Sequence, residues 1–174
     1  IADAEVRAGI WLREENRGVE LEGKTVSIIG FGNTGSTFAK KLSSFNCRIL
    51  AYDPFIKINN EEFPYVEQVE MDEIFKNSDV LSLHVPLTKL TQNLVNAEYI
   101  NQFEKPFYFI NTSRGKVVSI NDLSNALALK KISGAALDVL EFESLSFENL
   151  SSRQLPESFQ KLISFNNVLL SPHI

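Results

Sequence analysis

The sequence predicts an α/β domain built on a doubly wound parallel sheet with helices over both faces. Two observations predict it. Short apolar runs alternate with segments of helical periodicity along most of the 174 residues, a pattern that requires helical crossovers between parallel strands. The first apolar run, Lys24 to Ile29, also feeds directly into Gly30-Phe31-Gly32-Asn33-Thr34-Gly35, where three of the chain's eight glycines fall within six positions.

The elements follow in order. Ile1 to Leu12 has helical character and offers Ile1, Ala4, Ala8, Trp11 and Leu12 to one face. A stub of that length is unstable alone, so Trp11 is expected to pack at a domain or subunit contact. Gly18 to Gly23 is a turn region, and Thr25 to Ile29 reads as a buried strand. Asn33 to Ser44 reads as a helix that buries Phe38, Ala39, Leu42 and Phe45. Strands are expected at Arg48 to Tyr52 and Tyr65 to Val69, then a short helix at Met71 to Lys76 and a strand at Val80 to Val85 closed by Pro86. A helix over Asn96 to Phe103 leads to the strongly apolar strand Phe107 to Asn111. Ser119 and Asp122 resemble a capping box and open a helix to about Lys131 that buries Leu123, Ala126 and Leu127. Ala135 to Val139 is a strand. Leu155, Phe159, Leu162 and Ile163 have helical spacing, and Val168 to Leu170 closes the pattern.

The glycine turn has a mechanical reading. Gly30 permits a tight strand-to-helix turn, Gly32 lets backbone approach a pyrophosphate, and Gly35 lets the helix pack closely on the strand. Asn33 and Thr34 begin the helix, whose free N–H groups and positive dipole end suit phosphates. Asp53 ends the next strand at about the expected 20-residue distance, placed to accept from a ribose diol. Together these form the dinucleotide-binding fingerprint of a Rossmann-type domain; a plain tight turn in an α/β protein is the alternative. Asp53 points to NAD over NADP, because a carboxylate repels a 2′-phosphate. Pro54 and Phe55 supply no arginine for that phosphate, and Lys57 is the nearby cation. A protein-kinase glycine loop fits poorly, since no His-Arg-Asp or Asp-Phe-Gly run follows.

Bulk properties narrow the classes. The composition is ordinary for a soluble globular domain, at 44% hydrophobic and 22% charged. A formal net charge of −5 argues against a general nucleic-acid-binding surface. Cys47 is the single cysteine, which excludes an internal disulfide and fits a reducing, cytoplasmic compartment. No apolar stretch approaches transmembrane length, and no signal peptide pattern is visible. One cysteine and two distant histidines make no metal ligand set. The chain starts at Ile1 inside a helical pattern, as expected of part of a longer protein.

In open parallel sheets, ligands bind beyond the carboxyl ends of the strands. Polar residues just past predicted strands are therefore the candidates. They are Gly30 to Gly35, Asp53, His84 to Thr88, Asn111 to Gly115, Asp138 with Glu141 and Glu143, and Ser171-Pro172-His173. An arginine, carboxylates and a histidine thus share a sheet edge with the glycine fingerprint. His84 could line the cleft, but a hydrogen-bonded structural histidine is the better reading.

This set resembles the D-isomer-specific 2-hydroxyacid dehydrogenase family. Its carriers are the glycine turn, Tyr52-Asp53-Pro54, Leu83 to Thr88, Asn111 to Gly115, Ala135 to Val139 and Ser171 to Ile174, in the family's order and spacing over essentially the whole chain. The run Tyr52 to Ile56 most resembles phosphoglycerate dehydrogenases, hence serine biosynthesis. The resemblance implies NAD as cofactor and a small 2-hydroxy or 2-keto acid as substrate, with 3-phosphoglycerate a candidate. It makes Arg114, Glu143 and His173 catalytic. Arg114 would bind the substrate carboxylate and carbonyl oxygen, a task its planar fork suits better than lysine. It also falls at the cofactor. His173 would be general acid in reduction and general base in oxidation. Glu143, five residues after Asp138, would orient the imidazole, while Glu141 is expected to face solvent. Val85, Pro86, Thr91, Thr112, Ser113 and Asp138 fall where the family contacts the dinucleotide, Asp138 at its nicotinamide end. For the threonines and Ser113, ordinary loop capping is the alternative.

The sequence departs from the family at Thr34, usually apolar, and at Ser144, where proline is common. Glu141 to Asn167 is long and polar for this connection. The resemblance implies that residues 1–174 are the NAD-binding domain of a two-domain enzyme, with 1–12 a stub of the interdomain helix and the substrate domain absent. It also implies a homodimer, no membrane and no nucleic acid. A non-enzymatic NAD(H)-sensing module resembling the C-terminal-binding corepressors is the alternative. Formate dehydrogenases fit less well, since they carry glutamine where Glu143 stands.

Overall fold

The structure, a computed structural model, describes residues 2–141 and 156–173. Seven strands form one sheet in which every pairing is parallel, in the order β3-β2-β1-β4-β5-β6-β7. The strands are β1 (Thr25–Ile29), β2 (Arg48–Tyr52), β3 (Val66–Gln68), β4 (Val80–Leu83), β5 (Phe107–Asn111), β6 (Ile132–Leu137) and β7 (Val168–Leu170). The helices are α1 (Ala2–Arg7), α2 (Asn33–Leu42), α3 (Met71–Asn77), α4 (Ala97–Asn101), α5 (Ile120–Ala128) and α6 (Glu157–Ile163), with a 3-10 turn at Gly115–Val117. The doubly wound parallel sheet is as the sequence predicts.

Burial explains the strand chemistry. β1 and β4 are buried almost end to end, as strands with both faces covered must be. Val26 and Ile28 join a cluster with Ala39 and Leu42 of α2. Ile29, Leu81 and Leu83 join the larger cluster on the opposite face, with Ile74, Ile100, Leu123, Leu127 and Leu162 of α3 to α6. The chain crosses from the β2 side of β1 to β4 on its other side. That reversal makes the switch-point crevice at the carboxyl ends of β1 and β4.

Several expectations are corrected. The N-terminal helix stops at Arg7, because Gly9 takes φ +77 and turns the chain away. It buries no residue, and Trp11, 76% exposed, stays open to the domain or subunit contact expected of it. α2 stops at Leu42, two residues short, and Asn46 at φ +51 redirects the chain, leaving Phe45 half exposed. β4 ends at Leu83 rather than Val85, and β6 spans Ile132 to Leu137 rather than Ala135 to Val139. Ile163 lies on the exposed side of α6, and Leu155 lies outside the described residues. Among the described residues, helices do not cover both faces throughout: Tyr108, Leu169 and Leu170 of β5 and β7 are exposed. Ser119 caps α5 by accepting from the Asp122 N–H at 3.4 Å, but the box is open. The Asp122 carboxylate instead accepts from the Ala97 N–H, tying α5 to α4.

Candidate cofactor and catalytic site

The glycine turn is tight for two distinct reasons. Gly30 has φ +91, and a Cβ there would sit 2.5 Å from the His84 carbonyl oxygen. A Cβ on Gly35 would sit 2.1 Å from the Gly30 carbonyl oxygen, so α2 lies directly against the end of β1. Gly32 faces open space. It is the N-cap of α2 and no side chain caps the helix, which leaves first-turn N–H groups for an outside acceptor. Asn33 and Thr34 are both exposed beside it. Because Thr34 is exposed, its departure from the family pattern leaves the buried core unchanged. This cradle fits a dinucleotide pyrophosphate.

Asp53 follows β2 and faces the turn. Its Oδ2 accepts from the Phe31 N–H at 2.8 Å, and its Oδ1 from the Phe55 and Ile56 N–H groups at 2.8 and 3.0 Å. The carboxylate therefore fixes the glycine turn as well as presenting acceptors at the crevice. A recess of about 460 Å³ opens beside it, walled by Tyr52 to Lys57 and by Gln68 to Glu70.

On the other side of β1, His84 is largely buried, with its Nε2 2.9 Å from Ser82 Oγ and its ring 5.2 Å from Phe38. Desolvation pushes its pKa from 6.5 down to about 4. It is the hydrogen-bonded structural histidine expected. Because the fold depresses this pKa, the unfolded chain takes up the proton first. Stability is therefore full above about pH 6.5 and falls as the pH drops toward about 4. The loss is on the order of 3 kcal/mol at most. Urea titrations across this window are expected to show the loss in the native chain and a flatter response in His84→Phe. Val85 is half-buried and Pro86 exposed. Thr91 Oγ1 donates to the Pro86 carbonyl at 2.6 Å and accepts from the Thr88 N–H at 2.8 Å. Its hydroxyl is committed to closing this loop.

The turn after β5 presents Arg114. Asn111, 1% exposed, accepts from the Ser113 N–H and hydroxyl on Oδ1 at 3.0 and 2.7 Å and donates Nδ2 to the Arg114 carbonyl at 3.1 Å. Ser113 is buried while Thr112 and Arg114 are exposed. Its Nη1 donates to the carbonyl of the neighbouring Ser113 at 2.6 Å. A Cβ on Gly115 would strike the Leu140 carbonyl at 1.8 Å, so the turn is pressed against the segment after β6. Asn111 thus acts by shaping the turn; an Asn ending a strand with Ser two residues on is the signal of an Asx turn.

Asp138 and His173 follow β6 and β7. His173 Nδ1 lies 2.6 Å from Asp138 Oδ2, and Ser171 Oγ donates to Asp138 Oδ1 at 2.5 Å. These bonds, from Ser171 first and then His173, hold the Asp138 carboxyl below its usual pKa and keep it ionised. His173 takes φ +50 to reach it. Glu143, expected to orient this imidazole, lies outside the described residues, as does Ser144. Among the described residues Asp138 is the carboxylate on the ring. Glu141 does not face solvent as expected: it is half-buried, and its Oε2 accepts from the Ile120 N–H at 3.1 Å at the start of α5. Arg114, Asp138 and His173 thus follow three adjacent strands at one sheet edge, with Gly30 and Asp53 following β1 and β2 along the same edge. No group of three His, Cys, Asp or Glu among the described residues could hold a metal, and no helix among them is long and apolar enough to cross a membrane.

Fold and crevice together define a dinucleotide-binding domain with an arginine and a histidine–carboxylate pair at its edge. The chain belongs to the D-isomer specific 2-hydroxyacid dehydrogenase NAD-binding domain family, whose profile matches residues 1–174. It is 41% identical to a glyoxylate reductase of Thermofilum pendens, over 99% of this chain and 49% of that one. It is 35% identical to a D-3-phosphoglycerate dehydrogenase of Archaeoglobus fulgidus, over 99% of this chain and 31% of that one. A D-lactate dehydrogenase from Aquifex aeolicus, solved with NAD and lactic acid, superposes with a TM-score of 0.88 at 33% identity, covering 99% of this chain and 53% of that one. The chain thus spans about half the length, or less, of these relatives. Family membership makes NAD the cofactor of this domain.

Proposed function

We propose that the protein is an NAD-dependent dehydrogenase of small D-2-hydroxy acids, and that residues 1–174 supply its cofactor-binding side. The placement of Arg114 and the Asp138–His173 pair at the carboxyl edge that carries the glycine cradle supports this reading. Bound NAD supplies the hydride acceptor. Gly30, Gly32, Asn33, Thr34 and Gly35 would hold its pyrophosphate and Asp53 its ribose diol. Val85, Pro86, Thr91, Thr112, Ser113, Arg114 and Asp138 would lie along the rest of it. Because the Thr91 hydroxyl is bonded to the Pro86 carbonyl, Thr91 would act through that loop. Arg114 would hold the substrate carboxylate by a charge-assisted fork. His173 would take the C2 hydroxyl proton in oxidation and return it in reduction, with Glu143 orienting the imidazole and stabilising its protonated form.

Asp53→Ala is expected to lower NADH affinity about tenfold and to erode the preference for NAD over NADP, since it removes the carboxylate that opposes a 2′-phosphate. Comparing both cofactors' dissociation constants checks this, and an unchanged ratio would contradict the role. The run Tyr52 to Ile56 favours 3-phosphoglycerate among substrates, and with it serine biosynthesis. A homodimer formed through this domain, in the cytoplasm, completes the proposal; exposed Ile10, Trp11 and Leu12 support the contact. Assaying the full-length protein against glyoxylate, hydroxypyruvate, pyruvate and 3-phosphoglycerate tests the reading. Absence of turnover, together with tight NADH-dependent protein binding, would replace it with the sensor.

A further inference from the structure

The loop from Asp53 to Ile58 has no helix or strand, yet it is held at both ends. Asp53 Oδ1 accepts from the Phe55 and Ile56 N–H groups at its start. At its far end Gln68, the last residue of β3, reaches back across the edge of the sheet. Gln68 Nε2 donates to the Ile56 carbonyl at 2.8 Å, and its Oε1 accepts from the Ile58 N–H at 2.9 Å. Ile56 is thus fixed through both its N–H and its carbonyl. Ile58, 5% exposed, anchors the loop in the core. Between these points Phe55 stands 83% exposed, and the recess of about 460 Å³ lies against the loop and Gln68.

We propose that Gln68 is a positioning residue for the cofactor's adenosine half: it sets the wall formed by Pro54, Phe55, Ile56 and Lys57 before the cofactor arrives. The inference rests on the NAD-binding role of the Asp53 crevice. Holding an exposed loop in its binding shape removes the ordering cost from the binding step. The task needs one donor and one acceptor on a single side chain of this length, which glutamine has. Glutamate keeps the acceptor for Ile58 but sets an oxygen against the Ile56 carbonyl. Methionine keeps the length and loses both bonds.

The test uses the full-length protein, with NADH, ADP-ribose and reduced nicotinamide mononucleotide as calorimetric probes. Gln68→Met is expected to weaken NADH and ADP-ribose about three- to tenfold, the worth of one or two such bonds. Gln68→Glu should fall between it and the native protein. Binding of the mononucleotide and kcat should stay within about twofold, while the KM for NADH rises with its dissociation constant. Unchanged NADH affinity in Gln68→Met, or equal weakening of the mononucleotide, would overturn the proposal. If the native protein itself binds no ADP-ribose, the reading of the crevice fails rather than that of Gln68.

Discussion

Arg114→Ala in the full-length protein is expected to reduce kcat/KM by about a thousandfold, the scale of removing a preorganised charged donor from a reacting oxygen. NADH affinity should fall far less than turnover. The difference follows from how the turn is built. Asn111 holds the Arg114 backbone through its carbonyl, and Ser113 is held by the same Asn111. The guanidinium contributes to the turn only through its own neighbour's carbonyl. Truncating the side chain therefore leaves the turn standing and removes the fork proposed to hold the substrate carboxylate. Steady-state kinetics and NADH titration on the same preparation check this. If NADH binding falls as far as turnover, the arginine supports the fold of the crevice rather than the substrate.

His173→Ala is expected to cost between about a hundredfold and ten-thousandfold in kcat, the usual worth of a positioned general acid or base. The ring is held through Nδ1 by Asp138, which leaves its other nitrogen for the reacting oxygen. Asp138→Asn should lower kcat less, since it retains an acceptor for the ring but removes the charge that stabilises imidazolium. Pre-steady-state NADH oxidation separates these effects from product release. A His173→Ala protein with native kcat would remove the proton-transfer role altogether.

Much of the fold was legible in the sequence because the forces that set it are local. Apolar runs such as Thr25 to Ile29 and Phe107 to Asn111 end within a residue of their expected bounds, since apolar continuity and the flanking turns coincide there. The glycine turn was legible because its residues answer backbone demands: Gly30 needs φ +91, and Gly35 leaves no room for a Cβ. What escaped depends on where the chain goes afterwards. Phe45 was expected in the core because helical periodicity continues past Leu42, but Asn46 turns the chain first. Glu141 was expected in solvent because no local pattern announces that α5 begins beside it. Asp138 was placed at the cofactor by resemblance, whereas its bond to His173 joins residues that follow neighbouring strands. Gln68 carried no motif, because its partners lie on a loop 10 and 12 residues earlier.

Hydride is proposed to pass between the nicotinamide at this crevice and C2 of a small acid. This transfer is tested most directly by supplying NADH deuterated at C4 to the full-length protein with glyoxylate, hydroxypyruvate or pyruvate and reading the product by NMR. Deuterium is expected at C2 of the hydroxy acid, with the D configuration where C2 is a stereocentre. NADH that binds tightly but leaves every one of these acids unreduced, 3-phosphohydroxypyruvate included, would contradict it.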